Sequence, residues 1–220
     1  MNKEWSELNK TMQAQIKKKD TYSDGICTLS ELRDSLMQTI ISFREHLSRE
    51  DYNAIPFLNA DGYHSKTIAY SLWHIFRIED IVAHTLINGD EQIFFSGNYK
   101  ERINAPIITT GNELVKNDIS DFSKQLDITE LFSYIHAVRE STEAILRELP
   151  YEKLKQRISA QRRESLQKMN VVSRAENAQW LIDYWCGKDI RGLIQMPFSR
   201  HWIMHIEASL RIKNKISKES

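Results

Sequence analysis

Two histidines stand four residues apart in His201-Trp202-Ile203-Met204-His205. Four residues turn an α-helix by about 400°, so both imidazoles share one face, a turn apart. Ring nitrogens placed in this way can converge on one cation. Phe198, Ala208 and Ile212 lie on the same face, so the pair projects from an apolar stripe toward a core. Imidazoles buried there need partners, and a metal ion, a carboxylate or a backbone carbonyl would each serve. His74, within Ser71-Leu72-Trp73-His74-Ile75-Phe76-Arg77-Ile78-Glu79-Asp80, falls beside Ile78 and Ile81 on a second inward line. Alone it reads as a hydrogen-bonded core residue; across a bundle it completes a three-histidine set with His201 and His205. Three neutral imidazoles suit a divalent metal and leave a coordination position for water or substrate. Zn or Ni comes first, with Fe, Mn or Co as further options.

Other sites are poorer in residues. Of the seven histidines, His64, His84 and His136 are reserves, with His136 the substitute ligand if His74 is misplaced. Glu79 is a candidate for orienting a ligand histidine, although it stands five residues after His74 and off its face. No Glu-x-x-His, His-Glu-x-x-His, phosphate-binding glycine loop or Gly-x-Ser-x-Gly elbow occurs, which argues against di-iron, zincin, nucleotide and hydrolase-elbow designs. Cys186 could be a nucleophile near His201, against the plainer reading of a small buried hydrophobe.

The elements that must position these residues are helical. Leu29, Leu32, Leu36, Ile40, Phe43 and Leu47 recur at spacings of three and four, predicting a helix over 29–47 with Thr28 and Glu31 as its capping box. A second helix runs from about residue 65 to the Asn88-Gly89 stop. A third covers about 128–149 and ends before Pro150, and a fourth runs from about 199 to 213. Four such helices predict an all-α four-helix bundle, with residues 88–123 as an irregular crossover. Residues 151–170 carry six basic and two acidic side chains, either a binding surface or a solvated helix. Shorter helices broken at Gly187 are expected over 175–194. Residues 1–24 read as a polar arm or short helix, and 25–220 as a single domain.

Composition bounds the partners. The 220 residues include 30 Lys plus Arg and 30 Asp plus Glu, a net charge of zero, which lacks the positive excess that nucleic acid or an anionic membrane requires. Hydrophobic content of 41% and charged content of 27% fit a globular chain. Uncharged runs fall well short of the ~20 residues of a membrane span. Cys27 and Cys186 suit a reducing compartment, so the expected location is the cytoplasm.

The Trp73-His74 block and His201-x-x-x-His205, placed in the second and last of four long helices, resemble the DinB superfamily. The resemblance extends over about 29–213, and its specific part is these two short motifs. It implies a metal-binding four-helix bundle, often a homodimer, with His74, His201 and His205 as the ligands. Some similar proteins transfer a low-molecular-weight thiol of the bacillithiol or mycothiol type to an electrophile. That activity would need a small thiol as a second cofactor. Arg77, Arg191 and Arg200 are then candidates to hold the thiol's carboxylates. Trp73 and Trp202 are candidates to shape the substrate pocket, with core packing as the alternative. Two other functions stay open: a non-enzymatic metal-binding helical protein, and a metal-dependent hydrolase.

Overall fold

A computed structural model describes residues 2–219, and among them the regular secondary structure is all helical apart from one isolated bridge between Arg157 and Asp189. In chain order the α-helices are α1 (Lys3–Gln15), α2 (Tyr22–His46), α3 (Arg49–Asn53), α4 (Ile68–Asp80), α5 (Ile93–Ser96), α6 (Tyr99–Arg102), α7 (Asn117–Gln125), α8 (Ile128–Glu148), α9 (Ala160–Lys168), α10 (Glu176–Cys186), α11 (Ile190–Gln195) and α12 (His201–Glu219). The four long helices make a closed ring of neighbours, in which α2 and α4 each pack on both α8 and α12. None of these helices is long and apolar enough to cross a membrane.

The long helices follow their apolar stripes. Leu32, Leu36, Ile40 and Phe43 of α2 are fully buried, as are Leu131, Ile135 and Val138 of α8. Asp127 caps α8 by accepting from the Glu130 amide, and Thr67 caps α4 from the Tyr70 amide. α4 is buried along its whole length, since it lies between α8, α12 and the connecting segments. Beyond Asp80 it widens into a π-helical stretch, Ile81–Asn88, and stops at Gly89, whose φ of 83° is one that L side chains rarely adopt.

Two expectations change. The helix predicted to begin at Thr28 begins instead at Tyr22, so Thr28 and Glu31 form no capping box. Thr28 Oγ1 donates to Gln15 Oε1 (2.7 Å) and to the Asp24 carbonyl (3.0 Å). The extra turns form because α1 lies against them: Trp5, Met12 and Ile16 are buried, and a Cβ on Gly25 would meet Ile16 Cγ2 at 2.6 Å. Residues 88–123, expected as irregular chain, fold into α5, α6 and most of α7, with an extended strap between α6 and α7.

At the centre of the ring Arg33 and Glu79 form a fully buried bidentate pair, with Nη1–Oε2 at 2.9 Å and Nη2–Oε1 at 2.7 Å. Trp202 Nε1 donates to the same carboxylate (2.8 Å), Arg33 donates to the Phe198 carbonyl (3.2 Å), and its guanidinium lies 4.3 Å from the Trp202 ring centroid. Glu143 on α8 approaches Arg33 Nε at 3.6 Å. Removing one member of such a pair strands the other charge in an apolar interior. Arg33→Met is therefore expected to lower unfolding free energy by about 3–5 kcal/mol in urea titration, with Arg33→Met/Glu79→Leu recovering much of it. A single-variant loss below about 1 kcal/mol would contradict this account.

Candidate metal centre

His74, His201 and His205 converge in one buried cluster, with one candidate ligand atom from each lying within 4.8 Å of the others. Ring centroids are 5.1 Å apart for His74–His201, 4.9 Å for His74–His205 and 4.7 Å for His201–His205. α4 supplies one ring, and successive turns of α12 supply the other two. The spacing of four in His201-x-x-x-His205 does what helical geometry dictates.

A strap between α6 and α7 fixes the first ring. Three side chains on one face of α4, at spacings of four and three, hold three of its carbonyls. Tyr70 Oη donates to Gly111 O (3.0 Å), His74 Nδ1 to Thr110 O (2.7 Å) and Arg77 Nε to Ile108 O (2.9 Å). Because Nδ1 carries the donated proton, the lone pair of His74 is on Nε2, the atom free to bind a metal. Tyr70 also stacks on the His74 ring, 5.4 Å between centroids and 12° between planes. On the far side Tyr63 meets His205 edge-on at 4.7 Å. Gly111 has φ +79°, and a Cβ there would lie 3.0 Å from Tyr70 Cε2, so the strap passes where a larger residue would press on that stack.

The cluster fits a divalent cation on its own chemistry. Nδ1 of His201 and Nδ1 of His205 are buried with no hydrogen-bond partner, an unfavourable state for a polar atom away from water. Burial holds all three imidazoles in the neutral, ligating form: His74 is pushed down to about 4, and His201 and His205 well below their ordinary value. The neighbouring rings add to the shift at His201 and His205. Beside His74 and His201 opens a cavity of about 220 Å³, lined also by Tyr63, Ile78, Asn112, Trp180, Leu181, Tyr184, Trp185, Met196 and Pro197. Its wall is aromatic and apolar, and no Lys, Arg, Asp or Glu lines it among the described residues.

No protein-family model matches the chain, and neither does any curated protein.

The remaining candidates lie elsewhere. Trp73 is core, packed edge-on against Phe94 and Phe122, and Trp202 is committed to Glu79 and Arg33. Arg77 is fully buried, with its guanidinium 4.4 Å from the Phe94 ring centroid; it holds the strap and is not among the residues that line the cavity. Arg191 pairs with Asp189 at 3.5 Å, away from the cavity. Glu79 is bonded to Arg33 and Trp202, and the orienting partner of His74 is the Thr110 carbonyl. His136 is exposed, and His64 hydrogen-bonds Arg211 Nη1 (2.7 Å). Burial raises the Cys186 thiol above its ordinary value, which disfavours the thiolate a nucleophile needs.

Segment 175–194 supplies what the histidines alone lack, because Trp180, Leu181, Tyr184 and Trp185 of α10 form one wall of the cavity. Asn177 Nδ2 donates to the Asn112 carbonyl (3.1 Å), which ties that wall to the same strap that orients His74. The aromatic run Trp180-x-x-x-Tyr184-Trp185 is the sequence signal that marks it.

Tag-free protein is expected to take up one equivalent of Zn or Ni per chain by metal analysis, and to lose it in His74→Ala and His201→Ala. Absence of uptake by folded wild-type protein would exclude the centre. In chelator, the metal-free protein should lose stability as pH falls. The unfolded chain's histidines gain protons near 6.5, whereas His74 in the fold resists protonation down to about 4. Thermal midpoints should therefore be nearly flat above pH 7 and fall between about 6.5 and 4, with a shallower slope once the three histidines are replaced.

Proposed function

We propose that this chain is a DinB-like metal protein that conjugates a small thiol to an electrophile beside the three-histidine cluster. The observation that carries the reading is the joining of three neutral, buried imidazoles to an apolar cavity, with a donor set too small to fill a metal's coordination sphere. A divalent ion held by His74, His201 and His205 would supply Lewis acidity, favouring the thiolate form of a thiol or activating water. Four long helices in a ring, with ligands from α4 and α12, agree with the bundle that the resemblance implies.

The chain's own groups would do the rest. The Thr110 carbonyl and the Tyr70 ring hold His74 in one tautomer and orientation. Trp180, Tyr184 and Trp185 offer flat apolar surface to an electrophile and keep water from it. The cavity wall offers no counter-charge for a thiol's carboxylates, and Arg77 and Arg191 are engaged elsewhere. Cations stand at its margin instead. Lys188 Nζ lies 4.3 Å from the centroid of the Tyr184 ring, and Arg200 is near enough to Tyr63 to influence its charge. The thiol end of such a cofactor would enter while its carboxylates stay at the rim.

Zn- or Ni-loaded protein is expected to accelerate conjugation of a bacillithiol-type thiol to monochlorobimane, followed by fluorescence. His74→Ala and His201→Ala should abolish the acceleration, while Arg200→Gln should raise KM for the thiol with little change in kcat. Turnover that survives loss of all three histidines sinks the mechanism. Stoichiometric metal without turnover for any thiol tried would instead favour a metal-stabilised, non-enzymatic protein.

A further inference from the structure

We propose that Ser141, His84 and Asp90 form a second, metal-independent site, a nucleophilic triad that cleaves small anionic carboxylic esters. His84 lies in the π-helical stretch after α4, a backbone form often found at functional positions. Its Nδ1 donates to Asp90 Oδ1 at 2.7 Å, and its Nε2 accepts from Ser141 Oγ at 3.1 Å. Asn88 Nδ2 steadies the other Asp90 oxygen at 2.8 Å. Nucleophile, base and orienting carboxylate are thus in order and within hydrogen-bond reach. A second carboxylate, Asp80, lies 4.0 Å from Nε2, so an imidazolium formed there has an acidic neighbour on either side.

The two outer members of the triad open onto space. Ser141 and Asp90 line a cavity of about 560 Å³, within the usual range for small-molecule sites, while His84 lies buried behind them. From the basic segment 151–170, Lys153, Arg157 and Arg162 line the same cavity. Lys153 and Arg157 face the cavity, and neither makes an ion pair among the described residues. Ile145, Leu149 and Ile158 give the same space an apolar side; beyond Asp90 its one further carboxylate among the described residues is Glu148, against three cations. A substrate with an acyl chain and a carboxylate or phosphate matches that wall.

In the reaction Ser141 Oγ bonds to the ester carbonyl carbon as its proton passes to His84 Nε2. The alkoxide leaving group departs with that proton as an alcohol. Water then attacks the acyl-serine by the same route, giving the carboxylic acid and restoring Ser141.

A fluorophosphonate, which phosphonylates an activated serine with loss of fluoride, tests the nucleophile. Mass spectrometry of the full chain is expected to place the label on Ser141. Labelling should vanish in Ser141→Ala, slow by about 10²–10⁴-fold in His84→Gln, and persist with chelator and in His201→Ala, which separates this site from the metal centre. Circular dichroism confirms that each variant is folded. Wild-type protein should also hydrolyse p-nitrophenyl hemisuccinate faster than the neutral propionate ester, a preference lost in Arg157→Gln. No label on Ser141 in folded protein, or equal labelling rates in wild type and His84→Gln, overturns the triad; equal rates for the two esters overturn the assignment to anionic substrates.

Discussion

The buried pair of Arg33 and Glu79 is the constraint around which the four long helices are arranged. Its charges cannot be left unpaired without a cost of several kcal/mol, so α2 and α4, which stand across the ring, must meet in one register. Trp202 Nε1 bonds the same carboxylate and Phe198 offers its carbonyl to the same guanidinium, so the start of α12 is held to that register too. His201 adjoins Trp202 in the chain, and His74 stands five residues before Glu79. The ionic cluster and the histidine cluster are therefore two ends of one rigid assembly, and an error in one displaces the other.

The strap works on a smaller scale by the same logic. Carbonyls at 108, 110, 111 and 112 are taken by Arg77, His74, Tyr70 and Asn177. Three of these donors come from one face of α4 and the fourth from α10, so a segment without secondary structure is pinned at four of its carbonyls. It fixes the proton of His74 on one nitrogen and sets the cavity wall at a definite distance from it. Polar groups in this molecule act mainly as such fasteners, and Arg77 is the clearest case.

The three histidines were legible because helical periodicity tells which residues face inward, and imidazoles on inward faces must find something to bind. α4, α8 and α12 were legible for the same reason, as was the stop at Asn88-Gly89. The start of α2 was not, since Thr28 carries the right side chain for a cap and only the packing of α1 carries the helix past it. Nor was the partner of His74, because a backbone carbonyl has no residue type and any amino acid at position 110 could provide it. Trp73 and Trp202 were placed near the site by adjacency, yet neighbours on a helix point about 100° apart, and these two point into the core. The π-helical stretch, from which His84 reaches Ser141 of α8, has no signature in composition or spacing.

Tryptophan placement gives the molecule an optical asymmetry. Trp5, Trp73, Trp185 and Trp202 are buried in the apolar interior, whereas Trp180 is 51% exposed at the rim of the histidine cavity. Indoles in such different surroundings emit at different wavelengths, so the red edge of the fluorescence belongs mainly to Trp180. A molecule that fills that cavity contacts this ring and alters its solvation. The protein thus carries its own reporter of occupancy, readable without a dye or label.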